Sequence, residues 1–134
     1  MPTQAEMKAV MVKYVERVNA GDADGVVALY ADGATIEDPV GSPPRADRAA
    51  IVELYRNAVA TNVRLKILAG PFGSFANAAA MAAEVRVDVP VGFPGQGPTR
   101  IPLVEVMTFD DECKITSMRA YWGTEEMQSE MQSA

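Results

Sequence analysis

The sequence predicts an α+β fold in which three N-terminal helices lie on one face of a curved antiparallel sheet. Up to about Ala60 the apolar residues recur mainly at helical spacing, and from Asn62 onward they alternate. The alternating stretches are separated by turn clusters such as Gly92-Phe93-Pro94-Gly95-Gln96-Gly97-Pro98. Helices first and strands afterwards is the order of a layer of helices on a sheet, and a sheet curved around them encloses one natural cavity.

The first helix is expected from about Gln4 to Ala20, where Met7, Val10, Met11, Tyr14, Val15 and Val18 form a stripe among charged residues. Gly21 ends it, and Asp22 caps a shorter helix running to about Ala31 that buries Val26, Val27, Leu29 and Tyr30. Asp22-Ala23-Asp24-Gly25 resembles a fragment of a calcium loop but lacks its later glycine and glutamate, so it reads as helix punctuation. A short strand follows in Thr35-Ile36-Glu37-Asp38-Pro39-Val40-Gly41, ending in two adjacent carboxylates and stopped by Pro39 and Gly41. Asp47 caps a third helix to about Ala60 with Ile51, Leu54, Tyr55 and Ala58 on its stripe. Three tyrosines therefore fall on apolar helix faces, which suits core aromatics unless a shared hydrogen-bond network joins them.

The remaining strands are expected at about Val63 to Gly70, Ala78 to Val91, Arg100 to Phe109 and Lys114 to Trp122, paired as antiparallel hairpins. In the second, Val85, Val87 and Val89 share one face while Glu84, Arg86 and Asp88 share the other, as in a sheet wet on one side. In the last, Met118, Ala120 and Trp122 alternate with Arg119 and Tyr121. Residues 124–134 read as a short helix or a frayed tail. With 49% of its 134 residues hydrophobic and no linker or repeat, the chain 1–134 is expected to be a single domain around one core.

Composition removes several functions. Twelve basic against eighteen acidic residues, a net charge of −6 and no basic run argue against nucleic acid as a partner. There is no histidine, which excludes His-dependent triads and the common His-containing zinc sites, so proton transfer falls to carboxylate, tyrosine or lysine. The lone Cys113 allows no internal disulfide and has no histidine to activate it. With a start that is neither basic nor followed by an apolar stretch, and no segment apolar for a bilayer's thickness, the expectation is a soluble cytoplasmic protein with no membrane partner.

Two acids interrupt apolar rows. Period-two counting puts Asp38 with Ile36 and Val40, and Glu37 with Thr35 on the opposite face. Asp38 is then either an Asx-type turn residue or a carboxylate facing the cavity. Glu105 sits in the row Ile101, Leu103, Glu105, Met107, Phe109. Without water or a partner it would hold its proton and become a hydrogen-bond donor; the alternative is a buried ion pair with Arg86, Arg100 or Arg119.

Taken together, Lys13-Tyr14-Val15, Asn19-Ala20-Gly21-Asp22, Val27-Ala28-Leu29-Tyr30-Ala31-Asp32 and Ala34-Thr35-Ile36-Glu37-Asp38-Pro39-Val40-Gly41 resemble the bacterial Δ5-3-ketosteroid isomerases over nearly the whole chain. Those are small cofactor-free dimers of the cone-shaped nuclear-transport-factor-2-like (cystatin-like, SnoaL-like) fold. The resemblance implies Asp38 as catalytic base, Tyr14 as an oxyanion-hole donor, and Tyr30 and Tyr55 as its support. Glu105 stands where the family has a protonated aspartic acid, whose raised pKa is a known property of such sites. It also implies a homodimer, no cofactor and no metal, and a small apolar steroid-like substrate held by Val40, Val87, Phe93, Leu103, Met107, Met118, Ala120 and Trp122. Phe93 could be a pocket lip or only a loop anchor. The rival readings are an epoxide hydrolase or cyclase on the same fold, which needs a water held by several polar groups, and a steroid- or lipid-binding module without catalysis.

Overall fold

The computed structural model describes residues 1–90 and 97–130. Helix α1, Gln4–Asn19, starts at a capping box in which the Thr3 amide donates to Glu6 Oε1 at 2.9 Å and the Glu6 amide to Thr3 Oγ1 at 3.1 Å. It stops where Gly21 takes φ +69°, and Met7, Met11, Tyr14, Val15 and Val18 are buried as the spacing requires. Asn19, one of the residues carrying the family resemblance, pins the end of this helix to the sheet: its side-chain amide donates to the Leu65 carbonyl at 2.9 Å and its Oδ1 accepts from the Leu65 amide at 2.7 Å.

Helix α2, Ala23–Val27, is shorter than its apolar spacing suggests, and Tyr30 opens strand β1, Tyr30–Glu37, instead of closing the helix. Gly33 at φ +77° lies inside this strand. Tyr30 and Ala34 still face inward, so the sequence's inward assignment of Tyr30 holds although its element does not. Helix α3, Arg48–Ala60, is capped by Asp47, whose Oδ1 accepts from the Ala50 amide at 2.8 Å. The Arg48 guanidinium donates to the carbonyls of Tyr30 and Val27, tying α3 to the start of β1.

Strands β2, Arg64–Phe72, β3, Ala78–Val87, β4, Thr99–Phe109, and β5, Ile115–Tyr121, pair antiparallel in sequence. β1 joins the sheet beside β5, giving the order β1-β5-β4-β3-β2. The β1–β5 pairing is parallel, so the sheet is mixed and not wholly antiparallel. Alternation within each strand cannot reveal this, because period two says which face a residue takes and nothing of which strand lies alongside. A bulge at Thr116, between the pairs Thr108–Ser117 and Phe109–Ile115, shifts the parity of β5 and lets Ile115 and Met118 both reach the core. The hairpin before it is closed by Asp110 Oδ1, which accepts from the amides of Glu112 and Lys114, with Cys113 at φ +60° as a turn residue.

Beyond Gly123 the chain does not simply fray: β6, Gln128–Ser129, pairs antiparallel with the start of β4. Glu130 there binds Arg86 at 2.9 Å. No helix among the described residues is long and apolar enough to cross a membrane.

Candidate active site

The sheet register brings the two anomalous acids together. Across the inner face Glu105 on β4 lies opposite Met81 on β3 and Ala120 on β5. On the other side of β5, Ile36 pairs with Met118 and Glu37 with Arg119. Continuing that register by one residue carries Asp38 to the level of Ala120, and the Val40 amide closes the strand end by donating to the Ala120 carbonyl at 2.8 Å. Ala120, fully buried and small, is the spacer between the two carboxyls.

Parity then sorts the neighbours. Glu37 turns to the outer face and binds Arg119 at 2.7 Å, while the Asp38 carboxylate accepts a 2.6 Å hydrogen bond from the Trp122 indole N–H. Asp38 is thus held by a distant strand end and not by an Asx turn. Trp122, expected as an apolar wall residue, acts here as a polar donor. That contact joins residues far apart in sequence and leaves no local signal.

Glu105 is only 3% exposed, and its Oε2 has no hydrogen-bond partner among the described residues. The ion-pair alternative fails because each candidate cation is engaged elsewhere: Arg86 with Asp88 and Glu130, Arg100 with Glu130, Arg119 with Glu37. Burial, reinforced by the charge of Asp38, pushes the Glu105 carboxyl up to about 8. At neutral pH it is a carboxylic acid with a proton to donate. Burial also raises Asp38, but the Trp122 N–H and the Arg45 charge both pull it back toward the charged form. The two acids thus differ in their surroundings: burial and the Asp38 charge act against the ionised form of Glu105, while a donor and a cation act in favour of the ionised form of Asp38.

The tyrosines form the network that apolar spacing alone could not establish. Tyr14 Oη lies 3.0 Å from Tyr55 Oη, which lies 2.5 Å from Tyr30 Oη, all three buried. Burial first of all, and then the surrounding acids and phenols, hold each phenol well above its usual range. In each of the two bonds either hydroxyl can be the donor. Tyr14 feels the charge of both carboxyls, Glu105 and Asp38.

The other expected wall residues divide by depth. Met107 and Met118 pair across β4 and β5 in the innermost core, Leu103 and Val87 are buried further along the sheet, and Val40 is half-buried beside Asp38. Phe93 lies outside the described residues. Two neighbours escaped the sequence reading. Met81, opposite Glu105, is a plain apolar strand residue until the register is known, and Arg45 is brought by a folded-back loop to the edge of β1 beside Ile36, from where its charge acts on Asp38. A small groove between β1 and α3, lined by Asp32, Gly33, Arg48 and Ile51 among others, contains none of these groups.

An inward-facing acid pair and three hydrogen-bonded phenols thus lie together beneath three helices on a mixed sheet. The chain belongs to the SnoaL-like domain family, whose model matches residues 11–118. It is 37% identical over 123 residues to the steroid Delta-isomerase of Nocardioides simplex, covering 92% of this chain and 94% of that protein. It is also 32% identical over 126 residues to the epoxide hydrolase LasB of Streptomyces lasalocidi, covering 92% of this chain and 43% of LasB. A solved structure of SalBIII, an epoxide hydrolase/cyclase-like enzyme with a role in pyran ring formation in the polyether salinomycin, superposes with a TM-score of 0.85 at 31% identity, covering 93% of this chain and 96% of that one.

Proposed function

We propose that this protein is a cofactor-independent steroid Δ-isomerase that moves the β,γ double bond of a 3-oxo-Δ5-steroid into conjugation with the carbonyl. Asp38 takes a proton from the carbon between the carbonyl and the double bond, and the electron pair moves onto the carbonyl oxygen to give a dienolate. Tyr14 and protonated Glu105 donate hydrogen bonds to that oxygen, where negative charge develops. The same Asp38 then returns its proton two carbons further along, and the conjugated enone is released. A base that only has to swing between two carbons on one face of a flat ring needs a fixed pivot, which the Trp122 N–H supplies.

The observation that carries this reading is Glu105: a buried carboxyl whose pKa is pushed up to about 8, whose Oε2 has no hydrogen-bond partner among the described residues, and which acts electrostatically on the Tyr14 phenol and responds, through its own shift, to Asp38. A donor of this kind contributes about 2–4 kcal/mol to transition-state stabilisation, and a positioned base about 10²–10⁴-fold in rate. The apolar surroundings, Met81, Met107, Met118 and Ala120, suit a steroid ring system and keep water from competing for the donors.

The resemblance to LasB and SalBIII favours a second reading on the same residues. Protonated Glu105 could donate to an epoxide oxygen while Asp38 deprotonates the attacking hydroxyl or water. One assay separates the two: absorbance of the conjugated enone formed from 5-androstene-3,17-dione, run beside ring opening of an epoxide. Enone formation that Asp38→Asn removes supports the isomerase. Epoxide opening without enone formation replaces it with the hydrolase or cyclase reading.

A further inference from the structure

Two carboxyls in one apolar site repel each other's charge, and the proposed reaction needs Asp38, not Glu105, to be the ionised one. The returning loop supplies a reason for that choice. After Pro43 and Pro44 the chain folds back along the free edge of β1: the Arg45 amide donates to the Ile36 carbonyl at 2.8 Å and the Ile36 amide to the Arg45 carbonyl at 2.9 Å. This antiparallel bridge fixes Arg45 opposite a residue two positions before Asp38. Arg48, Arg86, Arg100 and Arg119 each lie within ion-pair distance of a carboxylate. Arg45 does so with none among the described residues, yet its charge acts on Asp38.

We propose that Arg45 is a positioning residue for the reaction, the cation at the rim of the site that keeps Asp38 as the charged member of the acid pair. The proposal rests on the isomerase reading of that pair. The other groups that act on Asp38 or feel its charge are accounted for: the Trp122 indole from the end of β5, Glu105 from β4, the Tyr14 phenol from α1 and the Tyr30 phenol from β1. All of them are neutral at the working pH, so Arg45 is the full charge among them. Its effect passes on to Glu105, since a charged Asp38 is what reinforces the neutral form there. The link to Ile36 runs through the Arg45 backbone, so exchanging the side chain leaves both hydrogen bonds in place.

The test is a carboxyl-carbon NMR titration of aspartate-labelled protein, with the Asp38 signal assigned by its loss in Asp38→Asn. Arg45→Gln, and Arg45→Met, which retains the aliphatic stem, should both raise the Asp38 midpoint by about 0.5–1 pH unit, as loss of a nearby opposite charge does. Arg45→Lys should stay near wild type. Arg56→Gln, the same charge change at an exposed position on α3, should leave the midpoint where it was. In turnover, the acidic limb of the kcat/KM profile should move with the midpoint, about 3–10-fold lower rate below the limb and equal rate on the plateau. An Asp38 midpoint in Arg45→Gln and Arg45→Met equal to that of Arg56→Gln overturns the proposal. The NMR arm needs no turnover, so its failure is distinct from failure of the wild-type protein to form enone.

Discussion

Replacing Glu105 with Gln changes one atom group and should alter both the stability and the activity of this protein in a pH-dependent way. Glu105 binds its proton up to about pH 8 in the folded chain, against an ordinary value of 4.5. Between those values the folded state holds more protons than the unfolded one, so stability falls as pH rises, by about 1.4 kcal/mol per pH unit well inside the window. From pH 5 to pH 7 this group alone should cost the wild type roughly 2–3 kcal/mol, and the total loss, counted from below about pH 4, should level off near about 5 kcal/mol above pH 8. Gln has nearly the same shape and does not titrate, so the variant lacks this slope. Urea unfolding of both proteins at intervals from pH 5 to pH 9 measures the difference directly. In turnover, wild-type kcat/KM should fall above about pH 8 as Glu105 loses the proton it donates, whereas Glu105→Gln, whose amide still donates, should retain much of its activity without that limb. Glu105→Ala should lose about 2–4 kcal/mol of transition-state stabilisation at every pH below the limb. Wild-type and Gln curves that run parallel across the range, or an ionised Glu105 seen by infrared difference at pH 7, would refute the assignment of Glu105 as a neutral donor.

Asp38→Asn should abolish isomerisation while leaving folding and steroid binding intact, because the amide oxygen can still accept from Trp122; near-native turnover would remove Asp38 from the base role. Glu37 is a poor substitute, being committed to Arg119 on the outer face. Trp122→Phe should lower kcat/KM about 10-fold or more and also lower stability, since a hydrogen bond to a charged group contributes about 1.5–3 kcal/mol to the folded state that positions the carboxylate; an unchanged rate would mean the indole only packs. On the outer sheet face the row Ala69, Ala82, Val104, Tyr121 runs across four strands, with Val104 and Tyr121 each 43% exposed. We expect that face to be covered in a homodimer that Val104→Lys dissociates. Sedimentation of the wild type as a monomer at micromolar concentration would contradict it.

The α+β architecture was legible in the sequence because helices α1 and α3 and strands β3 to β5 each bury one regular stripe, and periodicity depends only on local geometry. The inward parity of Ile36, Glu105, Met118 and Ala120 follows from the same count. The caps at Asp22 and Asp47 were equally readable, since a side chain and the amide it accepts from are three residues apart. Tyr30 escaped because a short amphipathic helix followed by a strand can bury the same residues with either period, and tertiary packing chose the strand. Only the folded chain decided the parallel docking of β1 on β5, and with it the approach of Asp38 to Glu105. The same is true of the Trp122 bond, the phenol relay and the return of Arg45 to the edge of β1. Each of these joins side chains on different elements, and no local repeat records which elements will meet. The ionisation of the site is tertiary for the same reason: a carboxyl that titrates near 4.5 in water reaches about 8 because the fold removes solvent and cations from one acid. The fold also leaves a donor and a cation on the other.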